Sequence, residues 1–374
     1  MIIVHIIAGL NDGGAEGVLY RLCANDTKHT HIVISMIDEG KYGHLLQKVG
    51  IDVFCLNIKR GGIRVDDFFK LFKLLRRLKP NIVQTWMYHA DLFGGFVARL
   101  AGFNKVFWNI RHSRLLPDDS KKSTIIVAKL CAFFSGIIPK GIVCCAEEAM
   151  RVHSNMGYKK RKMTVIANGY DTSLFKPDEK FKFQLRDELG IGPTELVLGM
   201  VGRFHPQKNH LGLLEALSIV KKSFSDFKFL LIGRNLNQNN QILVGKIKRY
   251  DLESNIFLLN QRSNIPAFMN SLDINILASK SGEGFPNVLA EAMSCGIPCV
   301  TTNVGDAQLI VANTGWVLPP NDPIALANII IQAIEEFRCN QLLWLKRKNK
   351  CRDRIIQKFS LDIMINKYHI VWSI

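Results

Sequence analysis

Two carboxylates, Glu283 and Glu291, stand eight positions apart in SGEGFPNVLAEAMSCGIPCVTTNVG, the stretch from Ser281 to Gly305. Gly282 and Gly284 flank the first of them. Pro286 suits the opening turn of a helix, because its fixed φ is helical and its missing N–H is not needed there. The pattern predicts a helix over Pro286–Cys295, ended by Gly296 at positive φ, then a buried strand over Ile297–Thr301. A helix start offers free backbone N–H groups, here around Gly284, Phe285, Pro286, Asn287 and Val288, together with the positive end of the helix dipole. Such a place binds anions. A carboxylate beside it is a poor anion ligand and is better matched to hydroxyls. The two together point to a phosphate that carries a sugar.

Other residues of chemical interest stand where strands end. Leu196–Val201 reads as a strand, and Gly202-Arg-Phe-His-Pro-Gln-Lys-Asn-His210 follows it, putting the cations Arg203 and Lys208 on a loop that glycine keeps open. Gly233 and Arg234 follow the strand Lys228–Ile232. Near the start, strand Ile2–Ile7 runs into Asn11-Asp-Gly-Gly-Ala-Glu-Gly17, with Gly13 and Gly14 at its centre and a helical pattern behind it. That loop is not G-x-G-x-x-G, so dinucleotide binding is a poor fit. His89 and His112 stand after the strands Asn81–Thr85 and Val106–Ile110, and ligands of open α/β sheets gather beyond the carboxyl ends of strands. Neither histidine has a neighbouring Ser or Cys in a nucleophile triad.

The run EGFPNVLAEAMSCGIPCV, with Glu283 and Glu291 in E-x7-E spacing, resembles the motif of retaining glycosyltransferases of family 4, which have the GT-B fold. Gly202, Arg203, Lys208 and Asn209 match that family's G-R-x4-K-N pattern, and Gly13-Gly14-Ala15-Glu16 resembles its N-terminal glycine loop. The resemblance covers essentially the full length. It implies that Arg203 and Lys208 hold the donor diphosphate and that Gly233 and Arg234 border the nucleotide pocket. It also implies that Glu283 grips sugar hydroxyls, Glu291 the ribose, and that His112 contacts the transferred sugar. Asn109-Ile-Arg before His112 departs from the family's usual threonine-containing approach, and the alternative reading of His89 is a structural hydrogen-bonding residue.

These residues need a scaffold of strand ends. Strand and helix patterns alternate every 25–30 residues or so, which argues for parallel sheets covered on both faces. At 374 residues the chain favours two domains over one core. The expected division is 1–170, 171–358 and a last helix, 359–374. By resemblance, two doubly wound Rossmann-like domains face a central cleft and the last helix crosses back to the first. Asn168-Gly-Tyr-Asp171 and Phe175-Lys-Pro177 mark the hinge. Val165–Gly169 reads as the strand leading into it.

Net charge is +17, and residues 1–180 hold 27 Lys and Arg against 16 Asp and Glu, a balance of +11. An acidic partner of the N-terminal half follows: membrane phosphates, a phosphorylated acceptor or nucleic acid. Arg111, Arg114, Lys121 and Lys122 flank the apolar segment Ile125–Ile138, which fits either a surface resting on an anionic bilayer or a core helix with a cationic end. Lys159–Lys162 adds to the same field. The longest apolar run, Thr124–Pro139, contains Lys129 and falls short of the ~20 residues of a membrane span. MIIVHIIAGL lacks the basic start of a signal peptide, and nine scattered cysteines read as buried thiols of a reducing cytoplasm.

The expectation is a cytoplasmic enzyme, peripheral on the inner face of the membrane, that moves a hexosyl or N-acetylhexosaminyl unit. The donor is a nucleotide diphosphate sugar, UDP-linked, and the acceptor a glycan on polyprenyl diphosphate, a precursor of surface polysaccharide. No Asp-x-Asp motif occurs, so catalysis without a metal or other cofactor is expected. A GT-B epimerase or phosphorylase is the alternative enzyme reading. A basic nucleic-acid-binding protein is the non-catalytic one, though neither helix-turn-helix nor zinc spacing supports it.

Overall fold

Strand β1, Ile2–Ile7, buries both faces: Ile3 and Ile7 enter one core and Val4 and Ile6 the other. A strand buried on both sides belongs in a parallel sheet sandwiched by helices. The computed structural model, which describes residues 1–59, 62–112 and 122–374, shows two such sheets in two units. Unit 1 comprises Met1–Gly169 and Leu361–Ile374, and unit 2 comprises Tyr170–Ser360.

In unit 1 the chain continues through α1 (Gly14–Asn25), β2 (Thr30–Ser35), α2 (Gly40–Lys48) and β3 (Asp52–Cys55). Then come α3 (Val65–Leu78), β4 (Ile82–Trp86), a wide π turn at Ala90–Gly94, and α4 (Gly95–Leu100). β5 (Val106–Ile110), α5 (Lys122–Phe134), β6 (Gly141–Cys144), α6 (Glu147–Asn155) and β7 (Met163–Val165) complete the sheet. Its seven strands are parallel, in the order β3-β2-β1-β4-β5-β6-β7. Order therefore reverses between β1 and β4.

Unit 2 runs α7 (Glu179–Glu188), β8 (Leu196–Val201), α8 (His210–Ser223), β9 (Phe227–Ile232), α9 (Gln241–Arg249), β10 (Ile256–Leu258) and α10 (Ile265–Ser271). β11 (Ile274–Leu277), α11 (Asn287–Ser294), β12 (Cys299–Thr302), α12 (Ala307–Val311) and β13 (Trp316–Leu318) follow, then α13 (Pro323–Cys339) and α14 (Gln341–Phe359). The parallel order β10-β9-β8-β11-β12-β13 places the reversal between β8 and β11. Asp322 caps α13 by accepting from the Ala325 N–H at 2.9 Å, with Pro323 in the first turn.

The last helix, α15 (Leu361–Ser373), returns to unit 1. Leu361, Met364, Ile365, Tyr368, Val371 and Trp372 form its buried stripe, packed in the same core as Ile3, Ile7 and Trp86. Both doubly wound sheets and this returning helix agree with the expected fold class.

Two local expectations change, and one strand had no expectation attached to it. Pro286 caps α11 from an extended ψ of 97°, so the helix starts at Asn287, while Gly296 ends it at φ 72° as expected. The seventh strand is Met163–Val165 and not Val165–Gly169. Beyond it the backbone leaves the sheet to meet α15: the Gly169 N–H points at Met364 Sδ, and a Cβ there would lie 2.7 Å from that of Met364. β13 has only three residues, too few to show a period in sequence. All nine cysteines are free thiols and seven are buried.

Candidate functional site

The carboxyl ends of β8 and β11 flank the reversal in the unit 2 sheet, so the loops leaving them rise side by side. Lys208 comes from the first loop and Glu283 from the second. Lys208 Nζ lies 2.6 Å from Glu283 Oε1, and the Ser279 hydroxyl donates to the same oxygen at 2.6 Å. Neither side chain of the pair is more than 21% exposed. The loops are also joined through backbone, with Lys280 N–H donating to Gln207 O at 2.7 Å, and Thr302 Oγ1 from β12 holds Ser279 O at 2.6 Å.

Two glycines make this closeness possible. Gly305 has φ 60°, and a Cβ on it would fall 2.4 Å from Glu283 O and 2.5 Å from Gly284 O. No L side chain fits. Gly233, ending β9 at φ 153°, is the second: its Cβ would meet Gly202 O at 2.2 Å. The Phe204 N–H donates to Arg234 O at 2.9 Å, so the loops bearing Arg203 and Arg234 are stitched together while both guanidinium groups stay exposed. Asn209 turns the chain into α8 at φ 56°. His210 behind it is buried, and burial, with the Lys208 cation, pulls its imidazole down to about 4.

Beneath Glu283, α11 begins. Its first backbone groups lie next to Gly284, whose carbonyl accepts from Asp306 N–H at 2.9 Å. The Phe285 ring is buried between Tyr170 and Phe359, at 6.2 and 5.3 Å between centroids, so the side chain packs while only the backbone is available to a ligand. Asn287 accepts from the Tyr170 hydroxyl. Pro286 is buried and Val288 half-buried. Glu291 is half-buried one turn along from Asn287. Ser279, Gln207 and Tyr170 escaped sequence reasoning. Of the three, only Ser279 carries a signal, a hydroxyl residue at a strand's carboxyl end three positions before a Gly-Glu-Gly.

Unit 1 has its own reversal point, between β1 and β4. Gly13 caps α1 and Gly14 opens it, but the Glu16 carboxylate folds back over Gly13, where a Cβ would lie 2.3 Å from Glu16 Oε2. Burial holds that carboxyl above its ordinary range. His89 is exposed after β4, and His112 is half-buried after β5. The turn bearing His89 rests on Asp91, fully buried and missed in sequence, which accepts from the Thr85 hydroxyl and from Asn109 N–H at 3.4 Å. Burial pushes this carboxyl well above the carboxylate range. Arg111, read as a surface cation, is instead bound inside unit 1. It donates to Asn168 Oδ1 at 2.7 Å and to the Tyr368 hydroxyl, 4.9 Å above the Trp86 ring. Lys162 likewise serves the fold, donating to Gly136 O and Pro139 O at 2.7 Å. Arg114 and Lys121 lie outside the described residues. Among the described residues no helix is long and apolar enough to cross a membrane.

Residues 12–174 match the family model described as Glycosyltransferase Family 4, and residues 181–351 match Glycosyl transferases group 1. The chain is 28% identical over 303 residues to the UDP-Gal:alpha-D-GlcNAc-diphosphoundecaprenol alpha-1,3-galactosyltransferase of Escherichia coli, covering 79% of this chain and 76% of that one. It is 26% identical over 315 residues to the putative glycosyltransferase EpsF of Bacillus subtilis, covering 80% and 79%. Among solved structures it superimposes on Anabaena Alr3699/HepE in complex with UDP, with a TM-score of 0.87, 22% identity and 100% of each chain covered.

Proposed function

Since this chain belongs to the family 4 type of glycosyltransferases with the GT-B fold, we propose that it moves a hexosyl or N-acetylhexosaminyl unit from a UDP-sugar with retention of anomeric configuration. The acceptor in this reading is a glycan on polyprenyl diphosphate, a precursor of surface polysaccharide. The contact between Lys208 and Glu283 at the strand reversal of unit 2 is the observation that carries it. Breaking the sugar–phosphate bond leaves negative charge on the departing diphosphate. Lys208, Arg203 and the N–H groups opening α11 are preorganised positive charge at the place where the bound UDP would leave. Without donor, Glu283 holds the Lys208 ammonium in place. With donor, the diphosphate takes the ammonium and sugar hydroxyls take the carboxylate, so one ion pair is exchanged for two matched contacts. Glu291 serves the ribose, and His112 with His89 serves the transferred sugar and acceptor. The UDP in the Anabaena structure and the diphospholipid acceptor named for the Escherichia coli relative support the choice of substrates.

The apolar and basic surface of unit 1 supports a peripheral position on an anionic membrane. Ile126, Leu130 and Phe133 lie at helical spacing along α5 and Ile137 follows them, exposed by 58, 42, 74 and 69%. Lys122 and Lys129 are exposed on the same helix. This replaces Arg111 as a membrane contact.

A thermal-shift panel of UDP-, GDP- and ADP-sugars, followed by transfer to a polyprenyl-diphosphate glycan, tests the reading. Stabilisation by a UDP-sugar and an α-linked product from an α-donor are expected, with the rate unchanged by EDTA. An inverted linkage, or a rate that depends on added Mg²⁺, overturns the mechanism.

A further inference from the structure

The amino-terminal ends of the unit 1 strands, opposite the loops that carry the proposed reaction, hold four histidines and a buried aspartate. Their hydrogen bonds fix one another's protons. The Trp86 indole only donates, so His5 Nδ1 must accept it, at 3.1 Å. His5 therefore carries its proton on Nε2 and gives it to His31 Nδ1 at 2.8 Å. His31 in turn donates from Nε2 to Asp26 Oδ2 at 3.0 Å. The chain of neutral imidazoles ends on a carboxylate whose side chain is 1% exposed and whose other oxygen accepts the Lys28 N–H at 3.0 Å. The buried charge of Asp26 is left with no full countercharge from that side.

On its open side two more imidazoles converge. His369 Nε2 on α15 stands 2.8 Å from Asp26 Oδ2, and His29 Nδ1 stands 3.9 Å from the same atom. The two rings lie parallel at 4.5 Å. His29 Nδ1 is buried and, among the described residues, has no hydrogen-bond partner. A separation of 3.9 Å is too long for a hydrogen bond. Donor atoms about 2.0–2.1 Å from a tetrahedral zinc sit roughly 3.3 Å apart, between this 3.9 Å and the 2.8 Å hydrogen-bond distance of His369, so each histidine nitrogen shifts by about half an ångström to share an ion with Asp26.

We propose that Asp26, His29 and His369 bind a divalent transition-metal ion of the zinc class, which clamps α15 to the strand ends of unit 1. All three ligand atoms lie within 4.8 Å of one another, and the side chains of His29 and His369 are 12 and 16% exposed, which leaves a way in and a fourth position for water. His31 and the Lys28 N–H orient the carboxylate from behind, as outer partners of metal ligands do. The neighbouring set His5, Cys23 and His31 is a different case. All three are buried, and its two imidazole nitrogens already bond each other, so it is closed to an ion.

Zinc chloride is titrated by calorimetry into the full chain without an affinity tag and with a non-chelating reductant, alongside thermal unfolding. One ion per chain and a raised Tm are expected, with His29→Ala and His369→Ala each weakening uptake at least tenfold. Cobalt(II) should give visible d–d absorption that both variants lose, while the wild-type transfer rate at fixed temperature stays the same with and without zinc. His369→Ala touches the packing of α15. His29→Ala, on the loop before β2, keeps the test sharp if the other variant folds poorly. No uptake by the wild type, or undiminished uptake in His29→Ala, overturns the proposal; the latter would put the metal on thiols.

Discussion

Lys208 is paired before any donor arrives, and this sets what its removal should do. In the proposed reaction Lys208→Ala deletes a cation at the departing diphosphate, and it takes from Glu283 Oε1 the ammonium that shares this oxygen with the Ser279 hydroxyl. Turnover should fall about a hundredfold, the usual cost of one such donor, about 3 kcal/mol. Arg203→Ala should cost a comparable factor, and steady-state rates near wild type would reject either assignment. Buried histidines give a second expectation. His153 donates from Nδ1 to Ala149 O and faces the Tyr88 hydroxyl at 2.7 Å, and burial lowers both it and His210 to about 4. Below pH 6.5 the unfolded chain takes up protons that these sites refuse. Stability should therefore be undiminished by them above pH 6.5, fall as pH drops towards 4 and level off beneath, by at most about 3 kcal/mol for each residue. Tm measured from pH 7 to 4.5 should fall less steeply in His210→Leu, and an unaltered slope would contradict its neutral state.

At the scale of elements, loops and not helices set the geometry of the candidate site. Gly305→Ala adds about 1–2 kcal/mol for a left-handed backbone. Its Cβ also displaces the carbonyls of Glu283 and Gly284. Circular dichroism should remain native while turnover drops more than tenfold; a folded, fully active variant would show that the Glu283 loop has room to spare. Most of this organisation was readable in advance, because two-sided burial makes strands such as β8 continuous apolar runs and because Gly296 and Asp322 mark helix ends by local chemistry. What could not be read depends on partners far along the chain. Arg111 looked like a surface cation until Tyr368, 257 positions away, appeared as its acceptor. Phe285 was expected to lend its backbone N–H to the anion site, and nothing in the sequence told where its ring, packed on Tyr170 and Phe359, would go. Asp91 gave no signal at all, since a buried carboxyl has the same letter as a solvated one.

For the molecule as a whole, charge and apolar exposure combine on α5. Phe133→Glu with Ile137→Glu should cut flotation with anionic vesicles at least fivefold and leave transfer to a soluble acceptor analogue unaffected. Equal flotation of wild type and variant would remove the membrane from the account. The return of α15 to unit 1 has a further consequence. Tyr368 and Trp372 fill the same core as β1, and Trp372 donates to Gln84 Oε1 at 3.0 Å. On the ribosome, the first strand is made some 370 residues before the indole that covers it. Through the synthesis of all of unit 2 the opening sheet waits, half-clothed, for α15, and in that interval a chaperone has the most to do.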